Sequence, residues 1–268
     1  ATMASPSFVV DSFLPEEEAR RLGDAVAAAE YGVHRFQFAG KTVVKPFIFE
    51  VDLSATDIDM SDVERRVAAK AKAQGGASVK LQRNQGGAFP FHHDNAGPPS
   101  RRFVTAVLYL TSRWAESDGG ELVLQPFLGE ARVVAPVWNR LVVFQSEVVL
   151  HSVRRWRGAH PRYAVTFWFD KNPEEPPTPT TLTKDHLRFA DWDDAAAFFR
   201  RSPLQRVLSR AVYDEEYRES LFACGFPEDD RRAMEEAHAA HVTAIVAKLR
   251  PLVDELRRRK NGLASASE

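Results

Sequence analysis

Between residues 77 and 170 the chain reads as a succession of short runs rich in β-branched and aromatic residues. They are "SVKLQRNQ", "FPFHHD", "RFVTAVLYLT", "ELVLQPF", "ARVVAPV", "RLVVFQS", "VVLHSV" and "RYAVTFWFD". Glycine, proline or asparagine breaks the chain between them. Strands this short with turns this tight point to a sandwich or barrel closed on itself rather than to βαβ units.

The flanks are different. "FVVDSFLPEEEARRLGDAVAAAEYG" opens with a short strand and then a helix. Pro15 suits the first helical turn, and Glu16, Glu17 and Glu18 sit near the positive end of the helix dipole. "KPFIFEVDL" (45–53) reads as a strand, and "DMSDVERRVAAKAKAQGG" as a helix stopped by Gly75 and Gly76. After the β-rich stretch, "KNPEEPPTPTTLTKD" (171–185) holds four prolines and reads as a stiff connector. Beyond it nearly everything is helical in pattern. Val242, Ile245, Val246, Leu249, Val253 and Leu256 form an apolar stripe at three- and four-residue steps. The expected architecture is mainly β with flanking helices (α+β). It divides into a β-rich domain with N-terminal helices (1–171), a connector (172–185) and a C-terminal helical region (186–268).

Composition excludes several classes. The formal net charge is −1 over 268 residues, which argues against a broad nucleic-acid surface or a strong pull to anionic lipid. A single cysteine, Cys224, rules out an internal disulfide framework or a thiolate zinc cluster. It fits a reducing compartment, so a cytoplasmic or nuclear location is expected. No apolar run approaches the roughly 20 residues of a membrane span. "ATMASPSF" has no basic region leading into an apolar core, and no signal peptide is expected there.

The chemistry starts at "FPFHHDNAG" (89–97). In a His-x-Asp at a strand end, alternation puts His92 and Asp94 on one face and turns His93 away. A third ligand from another strand would complete a face of two histidines and one carboxylate, the set that leaves positions open on non-haem Fe(II). His151, in "VVLHSV", is the best candidate. Taken alone, a His-x-Asp is usually a surface turn and His151 an ordinary buried histidine. His34, His160 and His186 have no partners at metal spacing. His238 and His241 lie three apart on a helix, but Glu235 and Glu236 make a solvated face the simpler reading there.

Context changes the balance. On the strand "RYAVTFWF", Arg162, Ala164, Thr166 and Trp168 share a face. Arg162 offers a planar fork for a carboxylate, Thr166 a hydroxyl, and Tyr109 at the end of "VTAVLY" a phenol. A metal triad and a carboxylate clamp within one barrel suit a dicarboxylate such as 2-oxoglutarate.

From about Leu81 to Asp170 the sequence resembles the catalytic domain of 2-oxoglutarate/Fe(II)-dependent dioxygenases of the prolyl 4-hydroxylase superfamily. It looks most like the hypoxia-inducible-factor prolyl hydroxylases and their bacterial and protist relatives. "HHDNAG", "RRFVTAVLYLTSRW", "DGGELVL", "PVWNRLVVFQS", "LHSV" and "RYAVTFWF" occur in family order. The resemblance implies a double-stranded β-helix, or jelly roll. It makes His92, Asp94 and His151 the iron ligands, and Arg162 the partner of the 2-oxoglutarate C5 carboxylate with Tyr109 and Thr166. Leu122 would line the cosubstrate pocket, and Arg102 and Trp168 would contact substrate near the target proline. Fe(II), 2-oxoglutarate and dioxygen are the implied cofactors, with room for ascorbate. Two departures stand out. Gln82 occupies the place of a cosubstrate-binding tyrosine, and "RRWRGAHP" lengthens the link from the last histidine to the arginine by about two residues. Since the strand pattern resumes at Arg162, the longer link is expected to enlarge a turn and leave the strand register intact.

The implied reaction hydroxylates an unactivated C–H, with succinate and carbon dioxide as coproducts. A prolyl residue of a protein or peptide is the expected target. A non-proline side chain or a small molecule is the first alternative. A partner-binding module with weak catalysis is the second, and iron-dependent turnover separates it from the others. The helices after 185 are expected to pack as a structural bundle on the barrel or to dock a partner. No proposed ligand lies in them, so chemistry is expected not to need them.

Overall fold

The computed structural model describes residues 6–74 and 76–264. Two antiparallel sheets face each other as a jelly roll. The larger uses β1 (Ser7–Val10), β2 (Gly32–Phe38), β3 (Lys41–Asp52), β4 (Ala77–Asn84), β6 (Arg102–Tyr109), β9 (Arg140–Gln145) and β11 (Arg162–Asp170), in the order β1-β9-β6-β11-β4-β3-β2. The smaller is β5-β10-β7-β8, made of β5 (Phe89–His92), β7 (Leu122–Pro126), β8 (Arg132–Val134) and β10 (Val149–Val153). All eight runs read from the sequence between 77 and 170 are strands.

Strand alternation sorts the side chains into two cores. On β6, Val104, Ala106 and Leu108 point outward, and on β11 so do Val165, Phe167 and Phe169. They are covered by α1 (Glu16–Ala28), through Ala19, Leu22 and Val26, and by α2 (Ser61–Ala71), through Val63 and Val67. The opposite faces look into the roll, where Val107, Tyr109, Leu122, Leu124, Phe144 and Ala164 pack together. The roll's interior is therefore largely apolar, but Arg162, Tyr109 and Thr166 also line it.

Two boundaries differ from the sequence reading. The strand expected at 45–53 begins at Lys41 and pairs with β2, which the sequence did not reveal. Its turn is Ala39–Gly40, both at positive φ, and alanine is not a residue that signals such a turn. The helix α2 ends at Ala71, where Lys72 takes the left-handed conformation (φ 53°) and its N–H caps the helix carbonyls. The expected stop at Gly75 and Gly76 is therefore too late; Gly75 lies outside the described residues.

The C-terminal helices α3 (Trp192–Arg201), α4 (Gln205–Val212), α5 (Asp214–Ala223) and α6 (Glu228–Ala264) cover the outer face of the smaller sheet. Phe91 and Leu150 of that sheet, with Phe127 and Leu128 just after β7, join one apolar cluster with Phe199, Leu208, Val242, Val253 and Leu256. The stripe on α6 is bent at Leu249 (φ −132°), two residues before Pro251. A proline inside a helix removes a backbone donor and clashes with the preceding turn. Both halves of the stripe still reach the same cluster. The connector is held down rather than extended through solvent. Arg101 donates to the carbonyls of Asn172 and Glu175. Lys171 pairs with buried Glu147 at 2.6 Å, and Thr178 donates to the same carboxylate.

Candidate active site

The two proposed histidine ligands are cross-strand partners: His151 of β10 lies directly opposite His92 of β5. Residues so paired share a face at close range, and their rings lie 4.2 Å apart. Asp94 lies two residues past the end of β5. Its Oδ1 is 3.5 Å from His92 Nε2 and 3.7 Å from His151 Nε2. These three are the one group of histidine, cysteine or acidic side chains among the described residues with ligand atoms close enough to share an ion. His93 points elsewhere, as alternation requires.

Each ligand is oriented by a second partner. His92 Nδ1 lies 2.8 Å from the Pro90 carbonyl, and His151 Nδ1 lies 3.1 Å from the Val149 carbonyl. A carbonyl can only accept, so Nδ1 carries the proton in each ring and Nε2 presents its lone pair inward. Asp94 Oδ2 accepts from Thr105 Oγ1 at 2.6 Å and from Trp168 Nε1 at 3.0 Å. That leaves Oδ1 to face the imidazoles. Thr105 is in turn 2.8 Å from Ser146 Oγ. Burial alone would raise the Asp94 pKa, but the neighbouring His151 and His92 and the Thr105 hydroxyl outweigh it and hold the carboxyl far below its ordinary range. Burial, with His92 beside it, lowers His151 to about 4. An ionised carboxylate with two neutral imidazoles is the protonation state a divalent cation needs.

Deeper in, Arg162 is only 2% exposed and has no ion pair with a carboxylate among the described residues. Among the described residues its Nε and the Tyr109 hydroxyl are buried with no well-formed hydrogen bond; the two side chains face each other, with the guanidinium 4.9 Å from the Tyr109 ring centroid. Burial pushes the Arg162 pKa down and the Tyr109 pKa up. A buried cation and an orphaned phenol are costly unless an anion enters between the walls. The same cavity is lined by Thr166, Leu122 and Gln82, and it reaches the triad. The donor set suits Fe(II), and the orphaned donors suit the carboxylate of 2-oxoglutarate.

The sequence "DGG" proves more than a turn. Gly120 adopts φ +73°, and a Cβ there would lie 2.6 Å from Trp156 and 3.0 Å from Arg162 Cδ. The longer loop 154–161 buries Trp156 against this glycine, anchored by its Nε1 to the His160 carbonyl at 2.7 Å. The extra residues thus form a wall behind Arg162. The strand register is intact, with Ala164 opposite both Tyr109 and Gln82.

Trp168 and Arg102 lie at the outer mouth. Arg102 stacks on the Trp168 ring at 4.0 Å. The tryptophan has a duty the sequence did not reveal, as a donor to the ligand Asp94. Thr105 and Asn95 were also missed. Thr105 shares the inward face of β6 with Val107 and Tyr109, so alternation could have found it. Asn95 fixes the loop after Asp94: its N–H donates to Ser146 O at 3.1 Å and its amide to Arg102 O at 2.7 Å. The C-terminal region also reaches the site. Arg210 of α4 and Tyr217 of α5 line the 430 Å³ cavity that opens over His92, Asp94 and Trp168. His238 is not on a solvated face. It is buried, stacks on Tyr217 with 4.2 Å between centroids, and meets Asp214 at 2.7 Å.

The sequence profile of the 2OG-Fe(II) oxygenase superfamily matches residues 79–170. A crystal structure of a prolyl 4-hydroxylase from Phytophthora capsici is 32% identical. It aligns over 96% of this chain and 88% of that one, with a TM-score of 0.67. The chain belongs to the 2OG-Fe(II) oxygenase superfamily. As a 2OG-Fe(II) oxygenase it is a dioxygenase that uses Fe(II) and 2-oxoglutarate, with His92, Asp94 and His151 forming the metal-binding group. Two further structures share the oxygenase fold. A Pseudomonas putida prolyl-4-hydroxylase is 22% identical over 63% of this chain and 94% of its own, with a TM-score of 0.52. A Trichoplax adhaerens prolyl hydroxylase in complex with a hypoxia inducible factor peptide fragment is 19% identical over 62% and 84%, with a TM-score of 0.51. A search of curated proteins returns no match.

Proposed function

We propose that this dioxygenase hydroxylates a prolyl residue within a protein or peptide. The observation that carries the reading is the shape of the approach to the triad. Above His92 and Asp94 lies an open cavity of about 430 Å³, walled by β2 and β3 on one side and by α4 and α5 on another. A closed pocket would suit a small metabolite; an open cleft built from three separate parts of the chain suits a segment of polypeptide. The likeness to the Phytophthora capsici prolyl 4-hydroxylase, which extends over the C-terminal helices as well as the roll, supports the same reading.

The chain's own contribution is positioning. His92 and His151 present Nε2, and Asp94 presents Oδ1, while backbone carbonyls, Thr105 and Trp168 hold the other side of each ligand. Arg162, with Tyr109 and Thr166 beside it, would take the distal carboxylate of 2-oxoglutarate. Leu122 and the buried apolar residues around it exclude water from that end. Bound Fe(II) supplies the redox chemistry that couples decarboxylation of 2-oxoglutarate to insertion of one oxygen atom into a C–H bond. Trp168 and Arg102 then form the rim where the target ring would rest.

The test is mass spectrometry of proline-containing peptides after incubation with the loaded enzyme. A gain of one oxygen on proline, matched by succinate, supports the proposal. Oxygen gained only by free metabolites would replace it with the small-molecule reading.

A further inference from the structure

Three cations line the same cleft, and each lies over an aromatic ring rather than beside a carboxylate. Lys45 Nζ, from β3, is 3.7 Å from the centroid of Phe89. Arg102, from β6, is 4.0 Å from Trp168. Arg210, from α4, is 4.8 Å from Tyr217. All six residues border the cavity over the triad. None of the three cations has an ion pair with a carboxylate among the described residues. The rings hold the charges in place at low entropic cost and leave their open sides to the cleft.

The anions of the cleft are already committed. Glu50 meets Lys80 at 2.7 Å through Oε1 and His34 at 2.7 Å through Oε2. Those partners, against the opposing effect of burial, bring its pKa down to about 2. Asp94 is turned to the two imidazoles. Cancelling Glu50 against Lys80, and assigning Asp94 to the metal that it would hold, leaves Lys45, Arg102 and Arg210 as an excess of positive charge on the walls. Lys45 is largely desolvated, and burial lowers it to about 8, so it is mostly charged at neutral pH and gains most from an incoming anion. The whole chain is close to neutral, with a formal net charge of −1. The local cationic character is therefore a property of this cleft and not of the surface in general, as it would be in a nucleic-acid-binding protein.

We propose that the cleft selects an acidic polypeptide segment, with Asp or Glu residues flanking the hydroxylated position on both sides. Lys45 takes a carboxylate at the end of the cleft built by β2 and β3, and Arg210 takes one at the end built by α4 and α5. Arg102 lies between them beside the triad. This rests on the polypeptide reading above and adds to it a charge rule. It also gives the C-terminal helices a part in substrate choice, because Arg210 and Tyr217 belong to them.

The experiment measures binding by fluorescence anisotropy, with the full chain loaded with Fe(II) and 2-oxoglutarate without oxygen. The probes are three labelled peptides with one central proline, flanked by Glu and Asp, by the isosteric Gln and Asn, or by Lys. The acidic peptide should bind about tenfold or more tightly than its amide isostere, a gap of roughly 1.4 kcal/mol. The gap should close at about 1 M NaCl, where screening acts within roughly 3 Å. K45M and R210Q should each shrink it, and together abolish it. Should K45M fail to fold by circular dichroism, R210Q alone carries the test, since Arg210 packs at the cleft edge. Equal binding of acidic and amide peptides overturns the proposal. So does a preference that survives R210Q with K45M, or tighter binding of a single-stranded oligonucleotide than of the acidic peptide. Mass spectrometry on the same peptides after oxygen is admitted separates the two readings. Tight acidic binding without oxygen on proline overturns the prolyl target and leaves the charge rule standing.

Discussion

Trp168 Nε1 donates to Asp94 Oδ2 at 3.0 Å, so the ring at the mouth of the cleft also holds the carboxylate ligand of the metal site. The same oxygen accepts from Thr105 at 2.6 Å. Two donors on Oδ2 fix the carboxylate with Oδ1 toward the imidazoles. W168F keeps the bulk and removes the N–H. Loss of such an orienting partner typically costs about 10- to 100-fold in metal affinity. W168F and T105V should both weaken Fe(II) binding in anaerobic titration by that order, with the fold unchanged by circular dichroism. An affinity unaltered in both would mean that Asp94 is positioned by backbone alone.

The triad itself should be all or none. H92A, D94A and H151A each remove one of three ligand atoms and should abolish 2-oxoglutarate turnover. H93A should retain Fe(II) binding and measurable turnover, because His93 is not among the three residues whose ligand atoms converge, although it borders the cleft above them. It borders both that cleft and a second cavity lined by Arg206 and Tyr213, so the expected cost is to substrate affinity and stability and not to the metal site. Turnover lost only in H93A would overturn the assignment.

Arg162 is buried without a carboxylate partner among the described residues, and in the proposed function the cosubstrate would supply one. R162Q should weaken 2-oxoglutarate binding by about 2–5 kcal/mol, roughly 30- to several-thousand-fold, as when one member of a desolvated charge pair is removed. R162K should not rescue it, since a lysine cannot reproduce the planar fork. Y109F removes a single neutral donor and should cost about 0.5–1.5 kcal/mol. Calorimetric titration with 2-oxoglutarate in the presence of metal and absence of oxygen separates the three. G120A should resemble R162Q in weaker form, because a Cβ there strikes Trp156 and Arg162.

Most of the roll and the whole triad were legible in sequence, and the reasons are local. Strand alternation fixes which side of β5, β6 and β11 each residue takes, so His92, Arg162, Thr166 and Trp168 could be assigned to the inside before any fold was known. Resemblance to the oxygenases made His151 the third ligand, but the pairing of β5 with β10 that brings it opposite His92 could not be read from the sequence. What could not be read depends on contacts between distant segments. Nothing near Trp168 in sequence says that its N–H meets Asp94, 74 residues earlier. His238 looked solvated because Glu235 and Glu236 precede it. Its burial comes from Tyr217 and Asp214 on another helix. Arg210 sits on an ordinary helical pattern, and its place in the cleft depends on how α4 docks on the smaller sheet.

Acid should weaken the C-terminal bundle. Burial lowers the pKa of His238 from its ordinary 6.5 despite the favourable Asp214 carboxylate. Asp214 is lowered too: burial works against ionisation, but Arg218 and His238 prevail. The unfolded chain binds a proton on His238 below about pH 6.5 that the folded chain resists. Stability from this residue is therefore present above that pH and lost as pH falls below it, by at most about 1.4 kcal/mol per pH unit. Asp214 adds loss in the same direction, but only as pH falls below about 3.8, its unperturbed value. H238Q should flatten the stability profile between about pH 6.5 and 5 in denaturant titrations. An unchanged slope would show that the histidine titrates alike in both states.

The C-terminal helices should matter to the metal loop as well as to the cleft, although no ligand lies in them. Arg206 of α4 donates to the Asn95 backbone carbonyl and, at 3.2 Å, to the Pro179 carbonyl. Asn95 directly follows the ligand Asp94, and its amide also reaches Thr178 at 3.2 Å. Removing everything after Glu174 cuts these ties and uncovers Phe91, Phe127, Leu128 and Leu150. At about 1.5–3 kcal/mol for each large apolar side chain returned to water, that exposure is comparable to the whole stability of a domain. The shortened chain should aggregate or melt far below the full one, and this alone would hide any effect on the site. R206A in the full chain isolates the local part. It leaves the apolar cluster in place and frees the loop after Asp94. Its melting temperature should fall by only a few degrees, as for a loss of about 1 kcal/mol in a chain of this size. Its Fe(II) affinity should fall by about tenfold, in the range of other lost supporting contacts. If R206A binds Fe(II) as tightly as the parent protein, Asn95 is held by the roll alone, and the helices serve only to cover the sheet and shape the cleft.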